Sequence, residues 1–160
     1  MRNWQEMNAL TLAYLGDAVY ELWVRTHLLE QGHEKVKELH KQATLYVRAR
    51  TQARILHRLL PELTELEQHV VLRGRNAKGG HPKNVDVVTY RHATAFESLV
   101  GYWQLSGQQE RMHWAFDKVE AIVNIELNGD MDGEGIDDKE RAIAERGEEN
   151  DESGAYSVHS

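Results

Sequence analysis

The run Leu12-Ala13-Tyr14-Leu15-Gly16-Asp17-Ala18-Val19-Tyr20-Glu21-Leu22 constrains the fold more than any other part of the chain. It sets one carboxylate, with glycine before it, inside an otherwise apolar helical stretch. Asp is a poor helix-interior residue because its side chain competes for backbone hydrogen bonds, and burying it as an ion is costly unless a cation or donors receive it. A metal ion is one such receiver. Gly16 adds a second constraint, since a mid-helix glycine costs about 1 kcal/mol against alanine and close approach of a neighbour is its natural compensation.

A second acid has the same setting. In Thr94-Ala95-Phe96-Glu97-Ser98-Leu99-Val100-Gly101, Glu97 lies among core-like residues, and Gly101, four residues on, leaves that helix face uncrowded. If the two helices cross at their glycines, Asp17 and Glu97 share one hydrated divalent ion. Two carboxylates plus waters suit Mg²⁺, which is hard, octahedral and reluctant to shed its water shell. Such an ion activates water and neutralises charge on a phosphoryl group. Glu21, one turn beyond Asp17, either joins this ring or is a solvated surface acid. The residues alone leave another reading open, a buried salt bridge from Glu97 to an arginine such as Arg91.

Nearly every other segment has helical periodicity and none has a persuasive strand alternation, so the fold class is all-α. A first helix is expected from about Asn8 to Leu29, stopped by Gly32; a second over Val36 to Tyr46; a third over Ala49 to Leu60, ended by Pro61. Thr64-Glu65-Leu66-Glu67 fits a capping box, which starts a fourth helix at Glu65. Gly79-Gly80-His81-Pro82 is a loop by its breakers. A long fifth helix follows from about Asp86 to Leu105, stopped by Ser106-Gly107, and a last one covers Gln108 to Glu126.

Net charge is −7, but it is divided unevenly. Residues 1–126 carry 16 Lys and Arg against 15 Asp and Glu, whereas residues 127–160 carry 3 against 11. The expected organisation is therefore a folded body over 1–126 and a disordered acidic tail over 127–160, whose scattered glycines and lack of apolar periodicity do not build a core. Solubilisation, or mimicry of a polyanion, is its expected role. The chain has no cysteine, which removes disulfides and thiolate metal sites. No apolar run approaches the roughly 20 residues that cross a bilayer, and the N-terminus lacks a signal-peptide core, so a cytoplasmic protein without membrane contact is expected.

Within the body, bases cluster. Lys35, Lys37, Lys41, Arg48, Arg50, Arg54 and Arg58 face only Glu38 across their stretch. A second group, Arg73-Gly74-Arg75-Asn76-Ala77-Lys78 with Pro82-Lys83-Asn84, concentrates donors at a helix end and in a loop, where backbone amides also meet phosphates. Arg73, Arg75, Asn76, Lys78, Lys83 and Asn84 are the candidate nucleic-acid contacts. Tyr14, Tyr20, Trp23, Tyr102 and Trp103 divide between core and a two-fold contact.

Leu15-Gly16-Asp17-Ala18-Val19 together with Phe96-Glu97-Ser98-Leu99-Val100-Gly101 resembles the two signature helices of the ribonuclease III family. The basic segments between them are similar to its Mini-III branch, and the likeness spans about residues 8 to 125. The resemblance implies a helical endonuclease domain that forms a homodimer, binds double-stranded RNA and hydrolyses both strands with Mg²⁺, leaving 5′-phosphate and 3′-hydroxyl ends. It implies further that Asp17 and Glu97 are metal ligands, with the aspartate central to catalysis, and that the substrate is the large-subunit (23S) ribosomal RNA precursor. Mini-III members lack the appended double-stranded-RNA-binding domain, and no such domain is expected after Glu126. Two further acids of ordinary ribonuclease III enzymes are replaced here by Ala13 and Thr94, which argues against copying a two-metal scheme unchanged. The same absence supports an alternative, a catalytically inactive RNA-binding or ribosome-assembly protein.

Overall fold

Three of the helices start where a side chain supplies an acceptor, and two stop at a glycine. In the computed structural model, which describes residues 2–132, the helices are α1 (Ala9–Glu30), α2 (Val36–Val47), α3 (Ala49–Leu59), α4 (Glu65–Asn76), α5 (Val87–Leu105), α6 (Gln109–Phe116) and α7 (Val119–Asp132). No strand occurs among the described residues, as the periodicity predicts. Asn8 accepts from the Leu10 amide to cap α1, and Asp86 accepts from the Thr89 amide to cap α5. The predicted capping box is present at α4: the Glu67 amide donates to Thr64 Oγ1 over 3.2 Å and the Thr64 amide to Glu67 Oε1 over 2.8 Å. Gly32 and Gly107, at φ +93° and +72°, take up the left-handed backbone that ends α1 and α5.

The expected last helix is two. Between α6 and α7 the chain turns at Asp117 and Lys118, although neither Gly nor Pro marks the place. Phe116 and Val119, both buried, lie on either side of the turn, so packing rather than local propensity sets it. Residues 1–123 form one compact unit, and the chain from Asn124 onward belongs to a second. α7 continues to Asp132 rather than stopping at Glu126, so residues 127–132, expected in the tail, are helical. The rest of the expected acidic tail, 133–160, lies outside the described residues.

In the first unit α5 is the central helix, with α1, α3 and α4 laid against it. Leu12, Tyr20, Val24 and Leu28 of α1, Ile55, Leu56 and Leu59 of α3, and Phe96, Leu99, Val100 and Trp103 of α5 are buried, each contributing about 1.5–3 kcal/mol of hydrophobic stabilisation. The aromatic expectation resolves residue by residue: Tyr20, Tyr102 and Trp103 are core, Trp23 is half-buried against His27 at 4.7 Å between centroids, and Tyr14 points to solvent.

The most extensive contact, α1 on α5, is a crossing of glycines. A Cβ on Gly16 would overlap the Glu97 carbonyl oxygen and come within 2.9 Å of the Gly101 nitrogen, while one on Gly101 would overlap the Leu12 carbonyl oxygen. The two main chains therefore touch directly. Gly74 does the same for α4, where a Cβ would lie 2.8 Å from Ala95 Cα. Ser98 adds a polar tie, its hydroxyl 2.9 Å from the Ala9 carbonyl oxygen.

Candidate active site

The glycine crossing decides where the two acids go. Asp17 follows Gly16, and the α5 residue whose main chain Gly16 meets is Glu97 itself, which brings the two acids near enough for the Asp17 charge to act on Glu97. Asp17 is exposed at the mouth of the site and Glu97 is half-buried behind it. Burial pushes the Glu97 carboxyl up to about 8, helped by the negative charges of Asp17 and Glu21 and opposed by a hydrogen bond from Gln52. Asp17 is raised as well, first by desolvation and then by Glu21, although its side chain reaches solvent. The groups acting on Glu97 are thus burial, two acids and an amide. No cation is among them, and Arg91, the alternative partner, is exposed. Glu21 sits one turn on and pairs with Arg25 at 3.4 Å, close enough to act on both carboxyls by repulsion.

Gln52, on α3, is the member of this cluster that sequence reasoning missed. Its amide Nε2 donates to the Val47 carbonyl oxygen over 2.8 Å, satisfying an end carbonyl of α2, and its amide hydrogen bonds to Glu97. The Oε1 of the same amide is buried with no hydrogen-bond partner. A buried amide oxygen without a donor is costly, about 1–3 kcal/mol, and a hydrated cation would provide the donor. Among the described residues no three His, Asp or Glu side chains converge as a metal-binding cluster. The donor set is therefore two carboxyl groups and a neutral amide, oxygen chemistry that suits a hydrated hard dication.

The candidate RNA contacts separate into two kinds. Arg73 is half-buried, and its guanidinium donates to the main-chain carbonyls of Gln5, Glu6 and Met7, at 3.1 Å and 3.0 Å for the latter two. It clasps the N-terminal segment to α4. Arg75 and Asn76, in the last turn of α4, and Lys78, Lys83 and Asn84, in the loop that follows, are all exposed. A Cβ on Gly79 would contact the Leu10 side chain at 3.7 Å, so this loop passes over the start of α1. Leu10 lies two turns before Asp17 on the same helix face, about 10.5 Å along the axis. Arg75, Asn76, Lys78, Lys83 and Asn84 are thus left at the surface, whereas Arg73 is committed to the N-terminal segment.

Comparison with known proteins gives the chain its family. A model of the ribonuclease III domain matches residues 10–108, which include both carboxylates and every basic residue just named. The chain is 67% identical over 139 residues to the Mini-ribonuclease 3 of Desulfitobacterium hafniense (strain Y51), covering 87% of this chain and 88% of that protein. It is 60% identical over 104 residues to the Mini-ribonuclease 3 of Symbiobacterium thermophilum, covering 64% of this chain and 80% of that one. A crystal structure of a Fusobacterium nucleatum protein superposes with a TM-score of 0.63 at 29% identity, over 78% of this chain and 96% of the other. By sequence and by fold, the chain belongs to the ribonuclease III domain family.

Proposed function

We propose that this endoribonuclease of the ribonuclease III type hydrolyses double-stranded RNA with Mg²⁺ held by Asp17 and Glu97, and that its substrate is the large-subunit ribosomal RNA precursor in the cytoplasm. The observation that carries the reading is the facing pair of carboxylates without a cation partner, beside the partnerless Gln52 Oε1. A bound Mg²⁺ supplies positive charge against the phosphoryl oxygens and acidifies the attacking water. The chain's own residues do the rest. Asp17, at the mouth, meets the scissile phosphate side. Glu97, behind it, would hold the ion as a carboxylate, and Gln52 hydrogen bonds to that carboxyl from α3. Hydrolysis then leaves 5′-phosphate and 3′-hydroxyl ends. The ribosomal substrate rests on likeness to the Mini-III branch.

Arg75, Asn76, Lys78, Lys83 and Asn84 hold duplex phosphates in this reading, which uses the shape of A-form RNA more than its bases. A homodimer completes the two-strand cut. Its support is exposed apolar area on α1, where Tyr14, Leu22 and Leu29 are exposed at 83%, 68% and 56%. Every group named lies within residues 1–126, which we take as the catalytic domain. No helix among the described residues is long and apolar enough to cross a membrane.

Incubating the protein with a long RNA duplex, with and without Mg²⁺ and beside Asp17→Asn, tests the proposal. Cleavage that needs Mg²⁺ and nearly vanishes in Asp17→Asn, while helicity is kept, is the expected result. Undiminished turnover by that variant removes Asp17 from the chemistry. Duplex binding without any cleavage by the wild-type protein favours the RNA-binding alternative.

A further inference from the structure

The start of α3 is fastened to the end of α2 by two consecutive side chains. Arg48, extended at ψ 148°, interrupts the helical run between the two helices and leaves carbonyls at the end of α2 without helical partners. The Thr51 hydroxyl donates to the Leu45 carbonyl oxygen over 2.6 Å, and Gln52 Nε2 donates to that of Val47 over 2.8 Å. A carbonyl only accepts, so the bond to Val47 settles which end of the Gln52 amide is nitrogen. The amide also bonds to the Glu97 carboxyl, and since Oε1 has no hydrogen-bond partner, the same nitrogen makes that bond with its second hydrogen. One NH₂ group thus joins the main chain at the end of α2 to the half-buried acid on α5. Gln52 is only 2% exposed, and its Oε1 has lost hydration without gaining a bond in return. Stability alone is poorly served by a stranded oxygen in that place. The nitrogen is what the position uses.

We propose that Gln52 is a positioning residue of the metal site, holding the Glu97 carboxyl ready for the ion from its anchor on the Val47 carbonyl, a role that rests on the Asp17 and Glu97 metal reading above. A glutamate side chain turns about several bonds, and ordering it when an ion arrives costs conformational entropy. A donor already fastened to the main chain meets that cost at folding, so the carboxyl has fewer orientations left to lose on binding. Both ends of the link are main-chain features. At one end stands the Val47 carbonyl, and at the other the α5 segment against which Gly16 is pressed. An amide suits this task where a lysine or an arginine does not. A fixed positive charge beside Glu97 competes with the ion for the carboxylate, whereas a neutral donor orients the group and leaves its charge to the metal.

Mn²⁺, which carboxylates bind as they bind Mg²⁺, is the probe. Titration of metal-free, full-length protein, followed by the EPR signal of free Mn²⁺, compares wild type with Gln52→Met, Thr51→Val and Asp17→Asn, and urea denaturation of each runs alongside. Gln52→Met keeps the length of the side chain and loses the donor, and should weaken Mn²⁺ binding about tenfold or more. Thr51→Val removes the companion bond at the same junction; it should lower stability and bind Mn²⁺ as wild type does. In cleavage assays, raised Mg²⁺ should restore turnover of Gln52→Met, with KM for the duplex unchanged. A second measurement does not depend on the folding of Gln52→Met. In amide NMR spectra both Gln52 side-chain hydrogens should be protected from exchange in wild type, and one of them should lose protection in Glu97→Ala. Undiminished Mn²⁺ affinity in Gln52→Met, or equal losses in Gln52→Met and Thr51→Val, overturns the positioning role alone. Unprotected Gln52 hydrogens in wild type overturn it too. If wild type binds no Mn²⁺, or Asp17→Asn binds it as tightly, the metal reading itself fails and the role of Gln52 falls with it.

Discussion

Removing the Asp17 charge should make Glu97 a stronger acid. Desolvation and the neighbouring acids raise Glu97 to about 8, so Asp17→Asn takes away the larger of the two repulsions and leaves the burial. An infrared or NMR titration of metal-free protein is expected to find the Glu97 value lower in Asp17→Asn, yet still above the ordinary 4.5. The stability consequence has a definite sign. The folded value exceeds the unfolded one, so folding favours the protonated form; the stabilisation is complete below pH 4.5 and is lost as pH climbs through about 8. Urea denaturation of metal-free protein should therefore show stability falling over that window, and Glu97→Gln should flatten the fall. Both acids were legible in the sequence because each interrupts an apolar helical run. Gln52 was not. It looks like ordinary surface composition in a basic helix, and only the packing of α3 onto α5 buries it. Nor was the Arg73 clasp, because composition cannot tell a guanidinium that will bond carbonyls from one left at the surface.

Between elements, two different devices hold the bundle. At the α1–α5 crossing the contact is main chain on main chain, so Gly16→Ala has no flexible neighbour to push aside. The expected cost is about 1–3 kcal/mol or more, read by urea denaturation, with cleavage lost more steeply than stability because Asp17 and Glu97 are displaced together. Where α4, α5 and α6 meet, a buried polar network does the work. Glu67 Oε2 accepts from the Trp103 indole over 2.6 Å and Arg111 grips both its oxygens, while its backbone closes the α4 cap. Burial pushes Glu67 up, but the hydrogen bonds from Arg111, the Thr64 amide and Trp103 outweigh it and hold the carboxyl below its usual range. Glu67→Ala strands an indole donor and a guanidinium, and should lower stability by about 2–4 kcal/mol in denaturant titration, with catalytic chemistry intact in the remaining folded protein. The helix ends were readable from Thr64, Gly32 and Gly107, whose local chemistry allows few alternatives. The α6–α7 turn was not. Met112, Ala115, Phe116, Val119, Ile122 and Val123 keep one helical spacing straight through it, so the period carries no mark of the break.

For the molecule as a whole, the proposed homodimer draws on the exposed apolar side chains of α1. Tyr14→Glu with Leu22→Lys should convert a dimer to a monomer by light scattering, with helicity unchanged since neither side chain is in the core. Cleavage of long duplexes should fall in the same variant, because a single protomer presents one carboxylate pair to one strand. An unchanged mass would place the dimer contact elsewhere. That α1 faces outward over much of its length was not visible in its sequence. Apolar residues occur on all its sides, and only the docking of α5 distinguishes the inner ones.

The bare approach of Gly16 to the Glu97 main chain gives the enzyme a ruler made of peptide rather than of side chains. Core substitutions elsewhere can loosen or tighten the bundle without resetting the width of the gap between the two acids. The interior is therefore free to vary in sequence while the spacing of the two acids holds, provided those two glycines stay.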